Sequence, residues 1–161
     1  MDSAALEKYI DTEPRMDYYN AFPAGIRTLM AWGREINQSG LEHSLLELVK
    51  MRASQLNGCA FCLDMHTREA MVAGETVQRL AVLPAWREAP LFTARERAAL
   101  QWVEAITNIQ QGHAPTAAYN ELRAHFNEAE AVQLTMAIAN INVWNRLAIA
   151  FRPHLGKRPA K

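Results

Sequence analysis

The chain has 161 residues, half of them hydrophobic and 21% charged. That composition is globular, not disordered, and the length predicts one domain, 1–161, able to bury a core. Seventeen basic side chains balance seventeen acidic ones, which argues against a surface built to coat nucleic acid or an anionic membrane.

The first fifteen residues, MDSAALEKYIDTEPR, hold no basic region followed by an apolar one, so no signal peptide is expected. A helix is predicted from about Ala24 to Gln38, where Ser39-Gly40 ends it. The next runs from Leu41 to about Leu56, with Leu41, Leu45, Leu48, Val49, Arg52 and Leu56 on one face, and Asn57-Gly58 breaks it. Another begins near Cys59 and stops at about Ala73-Gly74, and a short one covers Val77 to Leu83. Residues 84–92 carry two prolines and form a connector. Thr93 to Glu96 is a capping box that opens a long helix reaching about Gly112. Thr116–Phe126 is helical, and Asn127 caps a last helix reaching about Phe151. The tail from 153 to 161 is basic and expected to fray. No run alternates apolar and polar residues between tight turns. The fold class is therefore all-α.

The last helix carries Val132, Leu134, Met136, Ile138, Ile141, Val143, Trp144, Leu147 and Ile149, which cannot share one face. Such a helix lies in the middle of a bundle or in a subunit interface. Gln133, Asn140, Asn142, Asn145 and Arg146 would be costly in hydrocarbon, so it is not expected to span a membrane. Asn142, Asn145 and Arg146 should find hydrogen-bond partners within the bundle or across an interface. Met51, Met65, Met71 and Met136 are expected to fill core gaps, and Trp32, Trp86, Trp102 and Trp144 to anchor packing or an interface. The tail cations Lys157, Arg158 and Lys161 lack interleaved aromatics and are expected to aid solubility.

The chemistry-bearing residues are Cys59, Cys62 and His66, at i, i+3 and i+7. On a helix they project from one face, about one turn apart. The cysteines fall at the helix start, where unpaired N–H groups and the dipole favour a thiolate. His66 can move a proton near neutral pH. One thiolate can attack and the other close a disulfide. Helix neighbours at i, i+3 have Cβ atoms about 5–6 Å apart, a disulfide needs roughly 3.5–4.5 Å, and the first turn can tighten enough to close the gap. Three other readings remain. The cysteines are inert core residues; or they bind zinc with His66 and a fourth ligand among His43, His113, His125 and His154; or the chain is a thioredoxin-type oxidoreductase, for which the preceding strand is missing.

The stretch Glu47–His66 resembles the alkylhydroperoxidase D-like branch of the carboxymuconolactone decarboxylase family. The redox members of that family carry a glutamate, a CxxC twelve residues later, and a histidine four residues after the second cysteine; Glu47, Cys59, Cys62 and His66 match. Gly74–Leu80, Thr93–Leu100 and Asn142–Arg146 are similar too, and the likeness covers roughly residues 15–152. It implies an alkylhydroperoxidase D-like helical bundle and a thiol-dependent peroxidase. In that reading Cys62 attacks the hydroperoxide and Cys59 resolves it as a disulfide. His66 and Glu47 relay protons, commonly through water. A dithiol such as dihydrolipoamide or a thioredoxin-like protein restores the thiols, with no metal or flavin. Family members form dimers, trimers or hexamers, so a homo-oligomer is expected, in the reducing cytoplasm. A lactone decarboxylase like the family's other branch is the alternative enzyme, and a CxxC redox-sensing or zinc-binding interaction module the non-enzymatic one.

Two positions stand apart. Studied members have a histidine immediately before the second cysteine; here it is Phe61, which removes one proton carrier. Glu47 falls away from Leu41, Leu45 and Leu48 on a helical wheel, with His43, Lys50 and Ser54 near it. Read from the residues alone it is a solvated surface glutamate, and only the resemblance assigns it to the site. His43, one turn earlier, can pair with it but reads as an exposed histidine.

Overall fold

A computed structural model describes residues 13–155. Among these every regular element is a helix and no strand occurs, as the pattern predicts. A short α1 (Tyr18–Ala21), absent from the sequence reading, is capped by Asp17, whose carboxylate accepts the N–H groups of Tyr19 and Asn20. Proline opens α2 (Pro23–Asn37) at its first turn, where the missing N–H costs nothing. Then come α3 (His43–Asn57), α4 (Ala60–Val72) and α5 (Val77–Val82), followed by a 3-10 turn at Leu83–Ala85. The Thr93/Glu96 and Asn127/Glu130 capping boxes both form. They open α6 (Ala94–Thr107) and, after α7 (Ile109–Gly112) and α8 (Thr116–His125), α9 (Glu128–Phe151). The single helix expected from 93 to 112 is thus two, because Asn108 leaves helical geometry at φ −98°, ψ 41°. Most of the expected frayed tail, with Lys157, Arg158 and Lys161, lies outside the described residues, as does most of the N-terminal stretch.

α3 is the centre of the bundle and packs on α4, α6 and α9. Five consecutive residues, Leu45 to Val49, are buried. Leu45, Leu46 and Val49 join Trp102, Val103, Leu122, Leu134 and Ile138 in one core. Leu48 faces a second core with Met51, Leu83, Trp86 and Leu100. Within the single chain, burial on all sides belongs to α3 and not to α9, whose sequence fits the middle of a bundle or a subunit interface. α9 buries Leu134, Ile138 and Ile141 but leaves Val132, Met136, Val143 and Ile149 exposed in the single chain. Met71 and Met136 are likewise exposed, not core fillers, whereas Met51 is buried. Trp86 and Trp102 are buried anchors whose indoles donate to Glu104 and Thr135. Arg52, on the apolar face of α3, is held by Glu104 at 2.7 Å. No helix among the described residues is long and apolar enough to cross a membrane.

Candidate functional site

The site begins where α3 stops. Gly58 takes the left-handed conformation at φ 69°, ψ 34°, which costs a side-chain-bearing residue more than glycine. The N–H of Cys59 reaches back to Ser54 O at 3.0 Å and that of Gly58 to Gln55 O at 3.3 Å, a Schellman-type ending that satisfies the last carbonyls. Side chains pin this turn to α9. Asn57 Nδ2 donates to Asn142 Oδ1 at 3.0 Å and to Asn145 Oδ1 at 2.8 Å. Asn145 Nδ2 donates to Ser54 Oγ at 3.0 Å, and Asn142 Nδ2 to Thr107 Oγ1 at 3.1 Å. Arg146 Nη1 adds a bond to Asn142 Oδ1 at 3.0 Å. The polar groups of α9 therefore find their partners within the bundle.

Leaving the turn, Cys59 is the N-cap of α4, and its sulfur accepts the N–H of Cys62 at 3.3 Å. Cys59 and Cys62 are joined in a disulfide with Cα atoms 5.3 Å apart. Both are almost fully buried, packed against Phe61 and Ala148. They differ in access. A cavity of about 650 Å³ is lined by Cys62 and not by Cys59. Its walls include Tyr18, Tyr19, Met30, Phe61, Ile141 and Trp144, and His66 and Glu69 reach it as well.

One turn beyond Cys62, His66 is buried. Its Nδ1 lies 3.1 Å from Glu69 Oε2 and 3.5 Å from Glu47 Oε2. Glu47 is 1% exposed, which overturns the solvated reading of its helical wheel. The wheel of α3 alone cannot register α4 folding back across it. Lys50 Nζ holds Glu47 Oε1 at 2.8 Å, and the exposed His43 approaches the same oxygen at 3.9 Å. Glu47 Oε2 is sealed from water and has no hydrogen-bond partner. Burial pushes the Glu47 carboxyl up, but His66 and the Lys50 ammonium outweigh it and hold it down at about 2. Burial pushes His66 down, and Glu47 and Glu69 reverse this, so His66 sits above the ordinary histidine value. Glu69 is held below the usual carboxylate range mainly by its bond to His66.

Behind His66 lies a second, more open cavity of about 860 Å³, lined by His43, Glu47, Lys50, Arg68 and Glu69 among others. Lys50 and Glu69 border both cavities. Among the described residues, the donor atoms close enough together to share a cation are those of Glu47, His66 and Glu69, within 4.8 Å of one another. The cysteines are not part of that group, and the Lys50 ammonium already supplies positive charge at Glu47. The structure thus joins Cys59 to Cys62, lines one cavity with Cys62 and His66, and sets His66 against Glu47. Sequence reasoning placed Lys50 near Glu47 without giving it a part in the site, and missed Glu69; the signal available was helical spacing, Glu69 at i+3 from His66.

Comparison with known proteins bears on this geometry. The family profile described as the carboxymuconolactone decarboxylase family matches residues 21–105. The uncharacterized protein YdfG of Bacillus subtilis is 41% identical over 146 residues, covering 91% of this chain and 97% of YdfG. The crystal structure of a protein of unknown function from Agrobacterium tumefaciens, provisionally described as the antioxidant defence protein AhpD, superimposes with a TM-score of 0.85. That pair is 43% identical over 92% of this chain and 100% of the other. An alkylhydroperoxidase AhpD core from Ralstonia eutropha, an uncharacterized peroxidase-related protein, shares the fold at a TM-score of 0.73 and 20% identity, covering 88% of this chain and 80% of its own.

Proposed function

Because the chain belongs to the alkylhydroperoxidase D-like branch of the carboxymuconolactone decarboxylase family, we propose that it is a thiol-dependent peroxidase that reduces organic hydroperoxides through Cys59 and Cys62. The observation that carries the proposal is a disulfide at a helix start, one cysteine of which lines a cavity with His66.

The cycle starts from the reduced pair. Access selects Cys62 as the attacking thiol, since it lines the front cavity and Cys59 does not. His66 takes the Cys62 proton, and the thiolate attacks the terminal, hydroxyl oxygen of the hydroperoxide. The S–O bond forms and the O–O bond breaks. The sulfur is oxidised to a sulfenic acid, and the leaving alkoxide takes a proton from His66 to become an alcohol. Cys59 then attacks the Cys62 sulfur. The S–S bond forms and hydroxide leaves, protonated to water. The N-cap position stabilises a Cys59 thiolate through the N–H of Cys62. That makes Cys59 a ready nucleophile here and a good leaving group later. A dithiol donor, such as dihydrolipoamide or a thioredoxin-like protein, attacks Cys62 from the cavity and expels Cys59. Exchange within the mixed disulfide completes the transfer of two electrons. Glu47, sealed beside His66 and fixed by Lys50, stabilises the imidazolium while His66 holds the proton. A reducing, cytoplasmic setting suits this cycle.

The exposed apolar side chains of α9, Val132, Met136, Val143 and Ile149, support a homo-oligomer in which a second copy covers them. The test of function is consumption of cumene hydroperoxide with dihydrolipoamide as donor. Turnover is expected in the wild type and its loss in Cys62→Ser; equal turnover in both overturns the proposal.

A further inference from the structure

Resting on that reading of the site, we propose that Glu69 is a positioning residue: it holds Nδ1 of His66 and exchanges the histidine's proton with solvent through the rear cavity, while Glu47 acts as a fixed counter-charge. Three observations carry this. First, the better hydrogen bond of His66 is to Glu69 at 3.1 Å, whereas Glu47 stands at 3.5 Å, beyond the usual N–H···O range. Second, the two carboxylates differ in their contact with water. The Glu47 side chain is 2% exposed and that of Glu69 34%. A proton on Glu69 can exchange with solvent directly, and one on Glu47 cannot. Third, Glu69 borders both cavities, His66 only the front one and Glu47 only the rear one.

The front cavity is where hydroperoxide or donor sits when His66 must be recharged, so its apolar walls and its occupant close that route to water. The rear cavity stays open. The other charged or titratable groups facing His66 are Glu47 and Lys50 from α3, Cys62 from α4 itself, and Tyr18, Tyr19 and Arg34 across the front cavity. Lys50 also borders both cavities, but its ammonium donates to Glu47 Oε1 at 2.8 Å. Glu69 is the carboxylate that touches His66 and meets water.

The experiment uses Glu69→Gln and Glu69→Asp in the full chain. The His66 imidazole is titrated by NMR in the oxidised protein, a readout that does not require peroxidase activity. Its midpoint should fall in Glu69→Gln and stay near the wild type in Glu69→Asp. Peroxide turnover is then followed against pH. Glu69→Gln should lose about 10–100-fold in turnover near neutral pH, consistent with losing a proton-transfer partner. KM for the hydroperoxide should be unchanged, and added formate or imidazole should restore part of the rate. An unmoved His66 midpoint overturns the proposal, as does a rate loss that small acids do not rescue and that comes with a raised KM. If the wild type consumes no hydroperoxide, the peroxidase reading fails on that result alone. The His66 titration then decides the role of Glu69: a lowered midpoint upholds it and an unmoved one ends it.

Discussion

His66 on α4 and Glu47 on α3 bring Nδ1 and Oε2 to 3.5 Å with 7% and 2% of their side chains exposed. Two ionisable groups so deeply placed stay charged only by neutralising each other, with Lys50 completing the set. Glu47→Gln keeps the shape and removes the charge. It leaves the Lys50 ammonium without its counter-ion and takes away one support for His66 protonation. Turnover should fall about 10–100-fold, and the folded state should lose roughly 1–3 kcal/mol. Steady-state kinetics and urea midpoints check the two parts.

The same pair sets a pH window for stability. Glu47 is depressed to about 2 in the fold from roughly 4.3 in the unfolded chain. Its contribution is present above the unfolded value and lost as pH falls through the folded one. His66 is raised above its unfolded value of roughly 6.5. Its contribution is fully present below that value and lost as pH rises through the folded one. Stability of the oxidised protein should therefore be greatest between roughly pH 4.5 and 6.5. Urea unfolding from pH 3 to 9 should show both limbs in the wild type. In Glu47→Gln the acid limb should be shallower.

Asn145 is fully buried and joins Asn57 and Ser54, both in the last turn of α3, to α9. Asn145→Ala leaves the Ser54 hydroxyl without its donor and removes one acceptor of Asn57 in a dry setting. The cost should be about 1–3 kcal/mol, read as a lower urea midpoint at unchanged slope. The Cys59 N–H bond to Ser54 O closes the same turn, so its amide should also exchange faster with deuterium. A variant as stable as the wild type would contradict the anchoring role of this ladder.

Much of this arrangement is legible in the chain because it is local. Asn57-Gly58 predicts the turn, and Cys59, Cys62 and His66 share a face by helical spacing alone. Both capping boxes form where their sequences place them. What is not legible depends on contacts between helices. The burial of Glu47 is set by α4 lying across α3, and α3, not α9, takes the all-round burial because neighbours cover it on several sides. The Asn57–Asn145 bond spans 88 positions, which no periodicity registers. The break at Asn108 follows no glycine or proline, and the pattern runs straight through it.

Phe61 tests whether a missing histidine limits the chemistry. If His66 supported by Glu47 and Glu69 suffices, Phe61→His should change turnover by less than about tenfold. A rescued general acid would give about 10²-fold or more. Since Phe61 also walls the front cavity and packs on the disulfide, the variant should raise KM for a bulky apolar hydroperoxide. A gain of two orders of magnitude in turnover would show that the relay is incomplete as it stands.

The central claim is that Cys62 meets the peroxide and Cys59 resolves it. Its most direct measurement is a single turnover of reduced protein with one equivalent of cumene hydroperoxide in the presence of dimedone, followed by peptide mass spectrometry. A Cys59–Cys62 disulfide is expected in the wild type, a dimedone adduct on Cys62 in Cys59→Ser, and none on Cys59 in Cys62→Ser. An adduct on Cys59 in Cys62→Ser, with Cys62 unmodified in Cys59→Ser, would contradict it.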